Sequence, residues 1–555
     1  MNKCEKNMIV KNIVKSFIAL CLLCSFTLAQ KSGYTNLFNE QELKSTVKFL
    51  SDDGFEGRAP GSRGGELAAK YIANQLEMIG VKPGNNGSYF QPVSLVGVKA
   101  DPNTKLKIGE ASYSFGDEFV AFTGAQTENV NLDAEMVFVG YGIDAPEQNW
   151  NDYKGDKDEY RGKVLVMMVN DPPPTISEPN RFGGKALTYY GRWTYKFEQA
   201  ARMGAAGVIL IHTTESAGYG WNVVRTSNGS WRFDIARLPD DKTPFLQMRS
   251  WMTEDTARKV FSQAGKNLDE LRNQAKSKDF KPVKLGLRAN VELKSQVKRV
   301  DSNNVVGFIE GSDANLKNEY VVYSAHWDHL GVGEPNKKGD AIYNGAIDNA
   351  TGVVSVLGIA EAISKLPANQ RPKRSSVFLL TTAEEQGLLG ADWYAKHPIY
   401  PVEKTAANVN LDSVNVLGRV GSFSALGVER STLKEIVEKV ASERGLKLVP
   451  DSKPEQGLFY RSDHFPFAKV GVPSLNMEAG DDFVGKPEGW GKQQFDAYNS
   501  NNYHQPSDEF NDNWDFSGLV QMAEISMAIG VEAANAKKLP RYNQTDEFFQ
   551  AQPNR

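Results

Sequence analysis

VVGFIEG (Val305–Gly311), YVVYSAH (Tyr320–His326), SVFLLTT (Ser376–Thr382) and ANVNLDS (Ala407–Ser413) are four apolar, β-type runs in one stretch of this chain. Between them lie two helical patterns, Gly352 to Leu366 and Leu388 to Lys396. Strand and helix in alternation predict an α/β layer: a mostly parallel mixed sheet covered by helices on both faces, hence three layers, α/β/α. In such open sheets functional groups gather beyond the carboxyl ends of the strands. His326, Glu384 and Asp412 each fall there, just after YVVYSA, VFLLTTA and NVNL.

Five short patches carry the chemistry: SAHWDH (Ser324–His329), GAIDNATG (Gly345–Gly352), TTAEEQG (Thr381–Gly387), NLDS (Asn410–Ser413) and YHQPSDE (Tyr503–Glu509). Imidazole nitrogen and carboxylate oxygen are the ligands zinc accepts when thiolates are lacking, and a catalytic zinc keeps a position open for water. Two zinc ions about 3.5–4 Å apart need one bridging group and separate terminal ligands. Asp348 is the candidate bridge, with His326 and Asp412 on one ion and Glu385 and His504 on the other. Glu384, beside a ligand, is placed to take a proton from the water. Asp328, two residues after His326, is placed to accept a hydrogen bond from its ring and fix the tautomer.

Each patch also has a plainer reading. Glu384 and Glu385 suit the first turn of a helix, and Asp348-Asn349 suits an N-cap ahead of Gly352. Asp412 suits an Asx-turn, and His504 a loop held by Pro506. The conjunction outweighs these readings, because a full set of ligands at element ends rarely arises from independent turns and caps.

The bulk properties frame this reading. A chain of 555 residues exceeds one core and predicts two or more domains. It has 64 basic and 68 acidic residues and no basic stripe, which argues against nucleic acid as a partner. Lys3, Lys6, Lys11 and Lys15 precede an apolar run, Phe17 to Leu28, with Thr27-Leu28-Ala29 as a cleavage site. That is the pattern of a signal peptide over residues 1–29, too short for a membrane span. Its removal takes four lysines and Glu5 and moves the net charge from −4 to −7. All three cysteines (Cys4, Cys21, Cys24) lie in this leader, so the mature chain has no disulfide and no thiolate chemistry. A lipoprotein anchor at Cys21 or Cys24 is a minor alternative to a secreted or periplasmic protein. No stable membrane span is expected elsewhere.

Glu40 to Phe49 and Glu66 to Ile79 have helical periodicity, with the turn-rich EGRAPGSRGG between them. From about Met136 short β-type runs and Pro-rich loops take over: VFVGYGI, VLVMMV, DPPP and GVILIHTT, with a helix over Tyr195 to Met203. The expected division is 30–130 as the first part of the main domain, 131–285 as a small β-rich insert, 286–540 as the main part and 541–555 as a polar tail. A last helix is expected over Phe516 to Ala536.

The patches resemble the co-catalytic dizinc aminopeptidases, the zinc exopeptidase family that includes secreted bacterial leucine aminopeptidases and glutamate carboxypeptidase II. The resemblance implies two zinc ions per subunit on His326, Asp348, Glu385, Asp412 and His504, with Glu384 as general base and Asp328 beside the first ligand. It implies an oxyanion donor at Tyr503. YRSDHFPFAKVGVPSL (Tyr460–Leu475) resembles a segment lining the substrate site, which makes Arg461, Ser462, Asp463 and His464 weaker candidates for substrate binding. FVGYGIDAP, DYKG, RGKVLVMMVNDPP and FEQAARMGAAGVILIH resemble a protease-associated domain without chemistry of its own. The activity implied is removal of N-terminal residues from peptides by an activated water. A carboxypeptidase or dipeptidase shares the metal centre and would need cations for a carboxylate, for which Arg461 is available. A one-metal glutaminyl cyclase and a non-catalytic binding protein fit the intact ligand set and base less well. Neither HExxH nor GxSxG occurs.

Overall fold

The computed structural model describes residues 34–552, apart from 218, 230 and 239. The chain opens with two helices whose ends are written in the sequence. In α1 (Glu40–Leu50) Asn39 caps the Glu42 N–H and Lys48 sits in the last turn, while Leu43, Val47 and Leu50 share one buried face. In α2 (Arg63–Met78) Ser62 caps Gly65, and Ala68, Ile72 and Leu76 turn inward. Strand β1 (Phe90–Ala100) follows.

A second sheet comes next. Strands β2 (Asn129–Phe138) and β3 (Val164–Met168) lead to helix α3 (Trp193–Arg202), then to β4 (Gly207–His212) and β5 (Met248–Thr253). Strands β2, β3, β4 and β5 pair in parallel in that order, and Phe119–Thr123 closes the far edge antiparallel to β5. Successive residues of β3 and β4 alternate between two cores. Val164, Val166, Ile209 and Ile211 enter one core. Leu165, Met167, Val208 and Leu210 enter the other, with Phe197 of α3.

Strand β6 (Val283–Ile309) is 27 residues long and belongs to both sheets. Its Val283–Lys294 part pairs with β2 and its Ser295–Val305 part with β1. The second sheet therefore takes in Lys105–Ile108, which pairs with Ala289–Val291 of β6, and it ends inside a strand. The second sheet thus includes strands that precede residue 131, the start of the 131–285 insert expected from the sequence. Lys105–Ile108 and Ala111–Ser114 are strands of four residues, too brief to give a periodic signal.

The main sheet then forms from β7 (Tyr320–His326), helix α4 (Thr351–Lys365), β8 (Ser375–Thr381), α5 (Leu389–Lys396), β9 (Thr405–Leu411), β10 (Ser422–Leu426), α6 (His464–Lys469), β11 (Ser474–Ala479) and α7 (Ser517–Asn535). Strand β8 pairs antiparallel to β6 and parallel to β7; β7, β9 and β11 continue in parallel, and β10 is antiparallel to β11. Two cores again flank the sheet. Val321, Tyr323, Phe378 and Leu380 face α4 and α7, while Val322, Val377 and Leu379 face Tyr394 of α5 and Phe467 of α6. Each fully buried Val or Leu contributes about 1.5–3 kcal/mol. This is the three-layer α/β/α architecture expected from the alternation. Among the described residues one helical segment, Ala346–Lys365, is long and apolar enough to cross a membrane, yet 89% of its most apolar window is buried inside the fold.

Helix α7 crosses the sheet closely where Gly530 meets Tyr323: a Cβ there would stand 2.1 Å from the Tyr323 hydroxyl. Alanine would gain about 1 kcal/mol of helix propensity. The overlap with a fully buried ring outweighs it, so Gly530→Ala is expected to cost a net 1–2 kcal/mol, roughly. Equilibrium denaturation checks this, and an unchanged midpoint would contradict the packing described.

Candidate metal centre

The carboxyl ends of β7, β8 and β9 deliver His326, Glu384 with Glu385, and Asp412 to one place. Asp348 arrives from the turn ahead of α4, across a cis Asp348–Asn349 peptide. His504 comes from the loop before α7. Asp348 stands between the two imidazoles, with Oδ1 3.3 Å from His326 Nε2 and Oδ2 3.3 Å from His504 Nε2. Asp412 Oδ1 lies 3.3 Å from the same His326 nitrogen, and Glu385 Oε2 lies 3.1 Å from His504 Nε2. Atoms bound to one tetrahedral zinc at about 2.0–2.1 Å stand roughly 3.3 Å from one another. Each imidazole has about that spacing to two carboxylate oxygens, and each oxygen of Asp348 falls in a different half. Their chemistry, imidazole and carboxylate, suits zinc.

The backbone is bent to bring these groups in. Ala383 (φ 56°), Ser413 (φ 54°) and His504 (φ 58°) all occupy the left-handed region. Such residues cost of order 1 kcal/mol each and cluster where function dictates geometry. Asn349 ties α4 to β9: its Oδ1 accepts from Gly352 N and Ser413 N, and its Nδ2 donates to Leu411 O. The N-cap reading of Asp348-Asn349 therefore describes Asn349, while its neighbour faces the centre.

Electrostatics mark the cluster as one that attracts cations. Burial lowers the proton affinity of His504, but Glu385 and Asp348 outweigh it and raise its pKa to about 10. Burial and the carboxylates of Asp412 and Asp463 push Glu384 well above the usual range, against the pull of His326. The Glu384 carboxylate is 8% exposed as a residue and points Oε2 to within 3.9 Å of His326 Nε2.

Four expected residues, Asp328, Ser462, Asp463 and His464, sit differently from their assigned places. His326 Nδ1 lies 3.1 Å from the main-chain carbonyl of Asp328, not its carboxylate, which is 3.9 Å away. The Asp328 carboxylate accepts instead from Glu384 N at 3.1 Å. Ser462, Asp463 and His464 are buried behind the centre rather than lining a substrate surface. Ser462 Oγ donates to Asp412 Oδ2 at 2.6 Å, and Asp463 accepts from Thr381 Oγ1 at the end of β8. His464 lies edge-on to Phe459, and burial pushes its pKa down to about 3. Tyr503 stacks on His504 with ring centroids 3.9 Å apart and is 45% exposed. Arg461 lines a neighbouring cavity.

Three further residues hold the centre together. His329 Nδ1 lies 2.5 Å from Glu385 Oε1, the oxygen turned away from His504. Asp508 accepts from the N–H groups of Ile347 and Asp348. Both lie inside quoted patches, two or more positions from a ligand, so their presence was visible and their task was not. Arg58 gave no signal beyond a turn-rich stretch. It is buried, and its guanidinium donates to the carbonyls of Leu50, Trp327, Asn344 and Gly345. Burial lowers its pKa to about 10, while Asp508, Asp328, Asp348 and Glu385 hold it charged.

The α/β sheet thus carries at its carboxyl edge a cluster whose donors suit a metal ion. Residues 304–529 match peptidase family M28, and that span takes in every candidate ligand. The chain is similar to the probable leucine aminopeptidase 2 of Aspergillus oryzae, 26% identical over 501 residues, 88% of this chain and 83% of that one. It is also similar to aminopeptidase YwaD of Bacillus subtilis, 25% identical over 271 residues, 48% of this chain and about half (52%) of that relative. The solved aminopeptidase from Aneurinibacillus sp. strain AM-1 has the same fold, with a TM-score of 0.51 at 20% identity, over 91% of this chain and 96% of that one.

Arg58→Met is expected to cost about 3–5 kcal/mol, because four buried carbonyls lose their donor beside uncompensated carboxylates. Arg58→Lys should recover only part, since an ammonium cannot reach four acceptors in one plane. Denaturant titration of the three proteins checks both statements.

Proposed function

We propose that the protein is a zinc aminopeptidase with two ions per subunit, bound by His326 and Asp412, by Glu385 and His504, and by Asp348 between them. The observation that carries the reading is Asp348, with one oxygen 3.3 Å from each imidazole. When bound, zinc supplies a Lewis acid that polarises the peptide carbonyl and brings the pKa of water near 7.

The chain's own groups do the rest. Glu384 takes the proton of the attacking water on its carboxylate and returns it to the leaving amine. Its backbone is fixed by Asp328, which holds the carboxylate in reach of both positions. Tyr503 is exposed toward solvent beside His504, where its hydroxyl can donate to the developing oxyanion. His329 and Asp508 position Glu385 and Asp348 from behind. The relatives named above, both called aminopeptidases, support cleavage from the amino end.

Two features of the sequence complete the proposal. Residues 1–29, which lie outside the described residues, act as a signal peptide that directs the protein to the periplasm or exterior. The second lobe is a protease-associated domain. Its strand Arg232–Ile235, paired with β1, reaches the centre's surroundings, where the Phe233 N–H donates to Gln386 Oε1, next to Glu385.

The test uses the purified protein with zinc and a panel of short peptides, free and N-acetylated, read by mass spectrometry. Residues should be lost from the free amino end and acetylation should block this; shortening from the carboxyl end would replace the reading with a carboxypeptidase. Glu384→Gln should keep its zinc and lose about 10²–10⁴-fold in kcat. Near-normal turnover with full metal content would remove Glu384 as the base.

A further inference from the structure

Residues Arg541–Gln552 lie along the main domain as a strap. Tyr542 bridges Ser431 antiparallel, the Thr432 N–H donates to Arg541 O, and the Tyr542 hydroxyl donates to Val472 O at 2.9 Å. Asp546 and Glu547 both pair with Arg430. The Arg430 guanidinium stands over two rings, 4.7 Å from the centroid of Phe459 and 4.9 Å from that of Phe548. Phe548 is buried against Phe459, Phe465 and Tyr542.

These charges meet at the hydroxyl of buried Tyr460, which accepts from Arg430 Nη1 at 3.2 Å and donates to Glu547 Oε1 at 2.9 Å. Both bonds have a charged partner and are of the stronger kind. Two residues on, Ser462 Oγ accepts from Asn410 Nδ2 and donates to Asp412 Oδ2, while Asp412 Oδ1 faces His326 Nε2. Ser462 thereby selects the Asp412 oxygen that is left for an ion. Asp463 accepts from Thr381 at the end of β8.

The stretch that carries Ser462 cannot hold itself in place. Residues 449–463 contain only two single helical turns, Pro454–Gln456 and Leu458–Tyr460, and no strand. Without a ladder of its own, such a segment takes its position from side chains anchored elsewhere. Tyr460 and Phe465, on either side of Ser462, pack with centroids 5.3 Å apart, and the strap covers both through Glu547 and Phe548.

We propose that Tyr460, held by Arg430 and by Glu547 of the strap, is a positioning residue for the metal centre, acting through Ser462 on Asp412. This rests on the zinc reading above. It gives residues 541–552 a task in the reaction, although none of them reaches the centre.

The experiment titrates the zinc-loaded full-length protein with a chelating dye and follows the release of each ion, beside kcat, KM and the denaturation midpoint. Tyr460→Phe and Glu547→Ala should each give up one of two ions at least about threefold more readily, with the other ion held as before. A group bonded directly to a ligand is worth roughly 10–100-fold, and these act one step further out. With zinc in excess kcat should fall by a similar factor while KM changes less. Tyr542→Phe, which loses a strap hydrogen bond remote from Tyr460, should keep both ions and its turnover. Release unchanged in Tyr460→Phe and Glu547→Ala overturns the proposal. So does equal loosening of both ions in step with the denaturation midpoint, as a merely structural strap would give. A wild type that binds no zinc removes the metal reading itself, and this inference with it.

Discussion

Strand β6 is shared by two sheets, and most of the architecture follows from that continuity. Its first part takes its register from β2 and its second from β1, with a single backbone running through both ladders. A rotation of one sheet against the other would break hydrogen bonds in the strand itself. The second lobe is thereby fixed at a set angle over the carboxyl edge of the main sheet. Elements that would otherwise be distant now meet there: Tyr189, ahead of α3, packs on Phe465 of α6 with centroids 4.9 Å apart, and Lys469 of α6 pairs with Glu198 of α3 at 3.3 Å.

The centre itself sets a second constraint. Four carboxylates (Asp348, Glu384, Glu385 and Asp412) and two imidazoles (His326 and His504) in one space repel or demand protons unless cations and N–H groups answer them. Arg58 answers from beneath as a charge, Asp508 by fixing the backbone of Asp348, and Asn349 by joining α4 to β9. The polar ladder Asn408–Ser324–Asn410–Ser462–Asp412 extends this support into the sheet, each member bonded to the next. A buried network of this kind stabilises only when its members are satisfied, and it then holds one geometry.

How far the sequence could be read depended on the range of each signal. The alternation from Val305 to Ser413 is local, and the main sheet with its flanking helices follows it closely. Placing His326, Glu384 and Asp412 at strand ends needed only the rule for open α/β sheets, and these groups do meet. The short strands Lys105–Ile108 and Ala111–Ser114 escaped because four residues carry no period. The double membership of β6 escaped because partners, unlike periodicity, are not encoded within a strand. Arg58, His329 and Asp508 act through contacts made only in three dimensions. The same applies to Asp328, whose carboxylate serves a neighbouring strand end instead of its own histidine.

The shared strand also bears on how such a lobe is gained or lost. An insert joined by two flexible linkers can be excised and the host closes over the gap. Here a cut at Lys294–Ser295 would leave β1 beside a strand stub whose preceding turn no longer exists, and the main sheet would lose the anchor that sets its edge. Exchange of this lobe between proteins is therefore a transplant of sheet register as well as of sequence. Any replacement must present its last strand in phase with Ser295, side chain for side chain, since a slip of one residue would turn the whole edge inside out.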